Sequence, residues 1–213
     1  MTTLRPKVVE CPLCGQGVKF LETRSFTSSG RFRDFQERPV GADYYGNLVE
    51  TCPRCHFSGY ASDFNQKLEE DVKRKVLEKL KPIPLSSDSQ KFEFAAKIYI
   101  WQKRKNEQIA NIYLVGSYLL RGETGPYRTQ RWKFQSLAYD YFIKAIEAGE
   151  VEADERGVTY YLIGDLYRRI GEFEKALHWY DLTLKEKDNP EGLNDLVKEQ
   201  VKLTKNKDAD NDI

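Results

Sequence analysis

"ETCPRCHFSGY" (residues 50–60) holds two of the chain's four cysteines, and "ECPLCGQ" (residues 10–16) holds the other two. Each reads Cys-Pro-x-Cys: Cys11-Pro12-Leu13-Cys14, then Cys52-Pro53-Arg54-Cys55. A C-x-x-C turn aims two sulfurs at one spot, and two such turns facing each other close a tetrahedral four-sulfur shell. Proline after the first cysteine presets φ for the turn, and Gly15 supplies the positive φ that closes it. The doubled motif therefore predicts one zinc per chain on Cys11, Cys14, Cys52 and Cys55. Four thiolates leave no open coordination position, so the metal is expected to be structural. Iron is the alternative occupant of such a shell. A redox couple is the weaker reading, because a thioredoxin-like pair starts a helix inside a βαβ unit and neither pair here precedes a helical pattern. His56 stands where the first turn has Gly15; it reads as a turn residue that tolerates positive φ, with a supporting donor role as the second reading.

Outward from the cysteines, residues 1–65 have the grammar of short strands. β-Formers come in twos and threes ("KVVE", "VKFLET", "GRFRDF", "GNLVET") between Gly, Pro, Ser and Asn. Cys14 and Cys52 are separated by 37 intervening residues, where a compact zinc ribbon has about 15–20. "FTSSGRFRDFQERPVGADYY" is expected to form an elaborated hairpin in that interval. With few large apolar residues for a core, this zinc-ribbon-like module should depend on its metal for order.

After "SDFN" the period changes. Phe64, Leu68, Val72, Val76 and Leu80 follow at helical spacing, and "KPIPLSSDS" stops that helix. Helices are expected at about 90–104, 106–121, 131–148, 156–170, 172–187 and 190–203. The organisation is thus α+β: a small β-rich module over 1–65, a connecting helix and Pro/Ser linker over 66–89, a mostly α domain over 90–203, and a polar tail over 204–213.

Residues 157–190, "GVTYYLIGDLYRRIGEFEKALHWYDLTLKEKDNP", resemble a tetratricopeptide repeat, a 34-residue helix–turn–helix unit. Gly164 and Ala176 are small where the two helices approach, Tyr160, Tyr167 and Tyr180 fill space between repeats, and Gly171 makes the turn. Thr183 stands where a second small residue is usual, and Pro190 comes two residues late. A weaker copy runs through Ile112, Val115-Gly116, Leu119, Ala138, Phe142 and Ala145, lengthened by the basic insert "GETGPYRTQR". The last helix reads as the cap of a short array. This register lines the groove with Tyr113, Ser117 and Arg121 from the early copy, and with Tyr161, Asp165 and Arg168 from the later one. They are expected to point away from the paired helix and to be free to bind an extended peptide.

Composition excludes more than it selects. The 34 basic residues nearly balance the 33 acidic ones, so no global field favours nucleic acid or an anionic membrane. No run approaches the roughly 18 apolar residues of a spanning helix, and the start lacks a secretory h-region. A cytoplasmic protein is expected. Locally, residues 97–133 carry eight basic against two acidic residues and residues 147–174 three against eight; two solvated faces of opposite sign explain this, and a basic surface for an acidic partner is the alternative. No catalytic constellation or phosphate loop can be assembled.

Together, "CPLCG", "DYYGNLVE", "CPRCHFSGYASDF" and the helices that follow resemble a bacterial family catalogued as domain-of-unknown-function family 2225. Gly59-Tyr60-Ala61 and Phe64 are the most specific part, and His56 stands where members usually have glycine. The resemblance implies the fold, the metal and a bacterial cytoplasmic origin, but no activity. The expected function is a non-enzymatic adaptor that binds another protein through the repeat groove. A nucleic-acid-binding zinc ribbon is the alternative, since Arg31, Phe32, Arg33 and Phe35 interleave base and aromatic, although residues 1–65 carry eight basic against seven acidic residues. An uncharacterised enzyme is a third reading.

Overall fold

A computed structural model describes residues 1–42, 44–122 and 124–209. Short antiparallel strand pairs come first and seven helices follow, an α+β chain as expected. Asp43 of the expected hairpin, Glu123 of the basic insert and residues 210–213 of the tail lie outside the described residues.

The chain divides into two compact units, and they do not part at residue 65. The first comprises Met1–Gly30, Glu37–Arg104 and Tyr118–Arg121; the second comprises Arg31–Gln36, Lys105–Ser117 and Gly122–Ile213. In the first unit, β1 (Thr3–Glu10) pairs with β2 (Gly17–Ser25) in a register that sets Val9 opposite Val18. Alternation along β2 turns Val18 and Phe20 inward. Two shorter pairs follow, β3 (Ser28–Arg31) with β4 (Glu37–Pro39), and β5 (Glu50–Thr51) with β6 (Ser58–Gly59).

The connecting helix starts later than its period suggests. Phe64 and Leu68 are both buried, but residues 63–65 make a single tight turn and Gln66 is extended, so α1 runs only over Glu70–Lys79. Helical spacing there reflects two inward side chains on an irregular chain. Val72, Val76 and Leu80 join Phe94 and Ile98 of α2 (Asp88–Trp101) in one core with Val9, Val18, Phe20, Phe57 and three of the cysteines. This corrects the expectation of a small module without a core: residues up to Arg104 supply it. Apart from residues 31–36, the 1–65 module, the 66–89 linker and residues 90–104 fall in one unit.

The second unit is helical. It holds most of α3 (Asn106–Leu119), then α4 (Pro126–Glu147), α5 (Arg156–Arg169), α6 (Phe173–Lys185) and α7 (Leu193–Lys205). The last six residues of the basic insert are helix, and Pro126 sits in the first turn of α4, where its fixed φ and missing N–H cost nothing. The repeat physics holds at α5 and α6. A Cβ on Gly164 would lie 2.7 Å from the Tyr180 ring, so only glycine permits this approach. Gly171 (φ 86°) closes α5: its N–H donates to the Arg168 carbonyl and the Glu172 N–H to the Tyr167 carbonyl, both at 2.9 Å. Tyr167 stacks on Tyr139 of α4, ring centroids 4.2 Å apart. The expected tail begins inside α7, and the Asp208 carbonyl accepts a hydrogen bond from Arg168.

Candidate metal centre and the repeat face

Both cysteine turns fold alike because their backbone bonds are alike. The Cys11 N–H donates to the Gln16 carbonyl and the Gly15 N–H to the Cys11 carbonyl, both at 2.9 Å. In the second turn the Cys52 N–H donates to Phe57 at 2.8 Å, and the His56 N–H to Cys52 at 2.9 Å. Gly15 and His56 both take left-handed φ, 71° and 63°. His56 therefore is the turn residue expected. Its Nδ1 also lies 3.1 Å from the Leu80 carbonyl at the end of α1; a carbonyl only accepts, so Nδ1 carries the proton.

The four sulfurs lie within 4.8 Å of one another. Cys11 Sγ is 3.5 Å from Cys55 Sγ, and Cys14 Sγ is 3.5 Å from Cys52 Sγ. A disulfide would need about 2.05 Å, so these are free thiols. A tetrahedral centre with metal–sulfur bonds of about 2.3 Å sets its sulfurs about 3.8 Å apart, which this cluster accommodates. Cys11, Cys52 and Cys55 are buried and Cys14 is half-buried. The Cys55 thiol donates toward Cys11 and lowers its pKa to about 5, while that same bond, and then burial, push Cys55 far up. Burial raises Cys52 to about 11. Four sulfur donors converge here, three of them buried, and a cation is the simplest partner for such a donor set. The residues fit a metal ion.

Behind the second turn is a carboxylate that sequence reasoning missed. Asp63 accepts the Tyr60 N–H at 2.8 Å and the Tyr99 hydroxyl at 2.7 Å, and pairs with Arg104 at 2.9 Å. The Arg104 guanidinium also lies 3.8 Å over the Tyr99 ring. A Cβ on Gly59 would lie 2.6 Å from Asp63 Oδ2, which explains a glycine there. With every partner in place, the group is a structural tie from β6 to α2. The "GYASD" run was its only local signal.

The groove residues do not match their expected exposure. Tyr161, Asp165 and Arg168 are 0% exposed. The Tyr161 hydroxyl donates to the Arg33 carbonyl at 2.6 Å, and its ring lies 5.3 Å from that of Phe35. Asp165 accepts from Arg168 at 3.0 Å and from Arg169 at 2.5 Å. Burial opposes its ionisation, yet Arg169 and Arg168 together hold its carboxyl below the usual range. Asp34 sits 3.9 Å from Arg169. Tyr113 packs against Phe134 and Tyr141, and the Ser117 hydroxyl donates to the Leu114 carbonyl at 2.7 Å. Arg121 belongs to the first unit and the other five to the second. Part of the burial of α5 comes from a segment about 130 residues earlier, Arg31–Gln36, which meets Tyr161 and Arg169 and which no repeat register can foresee. The arginine pair Arg168-Arg169 spaced three and four from Asp165 was the one available signal of a buried charge network.

No helix among the described residues is long and apolar enough to cross a membrane. A family model described as "Uncharacterized protein conserved in bacteria (DUF2225)" matches residues 4–204. No curated protein and no solved structure matches the chain.

Proposed function

Since the chain belongs to this bacterial family, whose description names no activity, we propose from its own geometry that it is a non-enzymatic adaptor. A structural zinc on Cys11, Cys14, Cys52 and Cys55 orders the first unit, and the repeat of the second unit receives a segment of another protein. One observation carries this reading: the α5 face that the repeat register assigns to ligand already holds non-helical chain, with Tyr161 bonded to the Arg33 carbonyl and Arg169 facing Asp34. Four sulfur donors favour zinc over harder cations, and a filled tetrahedral shell would stabilise fold and leave catalysis aside.

A specific feature favours the nucleic-acid reading as runner-up. At the start of α4, Tyr127 and Trp132 are exposed and the Arg128 guanidinium lies 4.9 Å over the Trp132 ring, a combination suited to base stacking. The intact zinc-loaded chain, used as bait in a bacterial lysate with and without nuclease, tests both. Retention of a defined protein that survives nuclease, and that crosslinks to a photoreactive residue at position 35, supports the adaptor. Binding to single-stranded DNA or RNA with a steep salt dependence, lost on Trp132→Ala with Arg128→Ala, transfers the function to the runner-up.

A further inference from the structure

We infer that Cys14 is the chain's oxidant-reactive residue, and that its oxidation by a peroxide ends in a Cys14–Cys52 disulfide, which replaces the metal as the tie between the two cysteine turns. The inference rests on the four-sulfur metal reading and adds a modification site to it.

Access and distance single out this pair. Cys11, Cys52 and Cys55 are 3%, 0% and 1% exposed, so they offer an oxidant almost no surface. Cys14 is half-buried, and a thiolate is oxidised where a peroxide can reach it. Its sulfur has Cys52 Sγ at 3.5 Å, and that cysteine belongs to the other turn. The second close pair, Cys11 with Cys55 at 3.5 Å, also crosses between turns. Bridging therefore runs across the turns, whereas an oxidoreductase dithiol closes within one C-x-x-C at a helix start. Neither turn here opens a helix: one lies between β1 and β2, the other between β5 and β6.

The chemistry balances with the peroxide as co-reactant. The Cys14 thiolate attacks a peroxide oxygen, the O–O bond breaks and hydroxide leaves, giving a sulfenic acid. The Cys52 thiolate then attacks the Cys14 sulfur; the S–S bond forms, the S–O bond breaks and a second hydroxide leaves. Two electrons pass from sulfur to the peroxide, and two protons from solvent turn both hydroxides into water. The sulfurs close from 3.5 Å to about 2.05 Å, within the reach of side-chain rotation. Cys11 and Cys55 are then the remaining thiolates, too few to fill a four-coordinate shell, so the metal is released. The bridge closes a loop of 37 intervening residues, and a long loop gains most from such a tie. It should thus hold the core that the cysteines share with α1 and α2 after the metal has gone.

The test treats the full zinc-loaded chain, after metal analysis, with an equimolar amount of hydrogen peroxide. Free thiols titrated under denaturing conditions should fall from four to two per chain, in step with the metal that reaches a chelating indicator. Peptide mapping by mass spectrometry should find the Cys14–Cys52 bridge. With chelator present, α1 and α2 should stay protected from protease in the oxidised chain and lose that protection when a dithiol reductant is added. A first bridge within a turn, Cys11–Cys14 or Cys52–Cys55, overturns the inference, as does a Cys11–Cys55 bridge formed ahead of it. Sulfinic acid without a disulfide, or all four thiols intact with the metal retained, also overturns it. A chain that carries no metal before treatment sinks the metal reading, while a Cys14–Cys52 bridge mapped in it still supports the modification site.

Discussion

The cysteine centre and the α5 face are both convergence points, but they were unequally visible. At the centre, each half is assembled within a six-residue turn, so spacing alone carries the geometry. On α5, the helix positions Tyr161, Asp165 and Arg168 correctly along one stretch, yet what they meet arrives from a distant part of the chain. Local order predicts which residues share a face. It does not predict whether the face is empty.

The largest expected effect tests the first half of this contrast. Cys52→Ser, or chelation, should remove a contribution of about 10–16 kcal/mol typical of structural zinc. Because α1 and α2 share the cysteine core, the ellipticity of the 10-residue α1 and 14-residue α2 should be lost as well, while α5 and α6 remain folded. Circular dichroism with limited proteolysis reads this. Survival of α1 and α2 would restore a boundary near residue 65. Metal analysis of the untreated protein should find about one zinc per chain by the four-sulfur argument.

The second half is tested by Asp165→Ala, which removes the carboxylate shared by two buried guanidinium groups and should cost about 3–5 kcal/mol in thermal or urea unfolding. The same carboxyl predicts an acid limb. Its folded pKa is depressed, so its stabilisation is fully present above the unfolded value of about 3.9 and is lost as pH falls through the folded value. A pH series of denaturant midpoints should therefore drop below about pH 4, and that drop should be smaller in Asp165→Ala. A variant with wild-type acid sensitivity would remove the buried network from the account.

Tyr161→Ala separates the two readings of α5 most directly. An exposed groove residue would cost less than about 1 kcal/mol; a buried ring should cost about 3–5 kcal/mol. Gly164→Ala is a smaller probe of the helix approach beneath it. The added methyl meets the Tyr180 ring and should cost about 1–3 kcal/mol, unless that ring can swing aside. Smallest is Tyr161→Phe, which deletes only the bond to the Arg33 carbonyl and should cost about 1 kcal/mol. It should also speed hydrogen exchange at the Phe35 and Gln36 amides, a readout that loss of generic packing would not localise there.

The amino-acid sequence by itself determined several features whose partners lie within one turn or one helix pair: the paired Cys-Pro-x-Cys turns, the positive φ at Gly15 and His56, the close approach at Gly164, and the stop at Gly171. Short contacts cost little chain entropy, so local spacing encodes them nearly completely. Tertiary structure alone decided that α1 and α2 complete the cysteine core and that Asp63 ties Gly59-Tyr60 to Tyr99 and Arg104. It also decided that Asp34 and Phe35 cover the face of α5. Those contacts join residues about 30 to 130 positions apart, and each replaces water on a surface whose exposed and buried forms have the same sequence pattern. Helical periodicity marks the apolar side of α5, but Asp165, Arg168 and Arg169 are buried as an ion-paired cluster that Asp34 faces from a distant segment, an arrangement that exists only once the chain has folded.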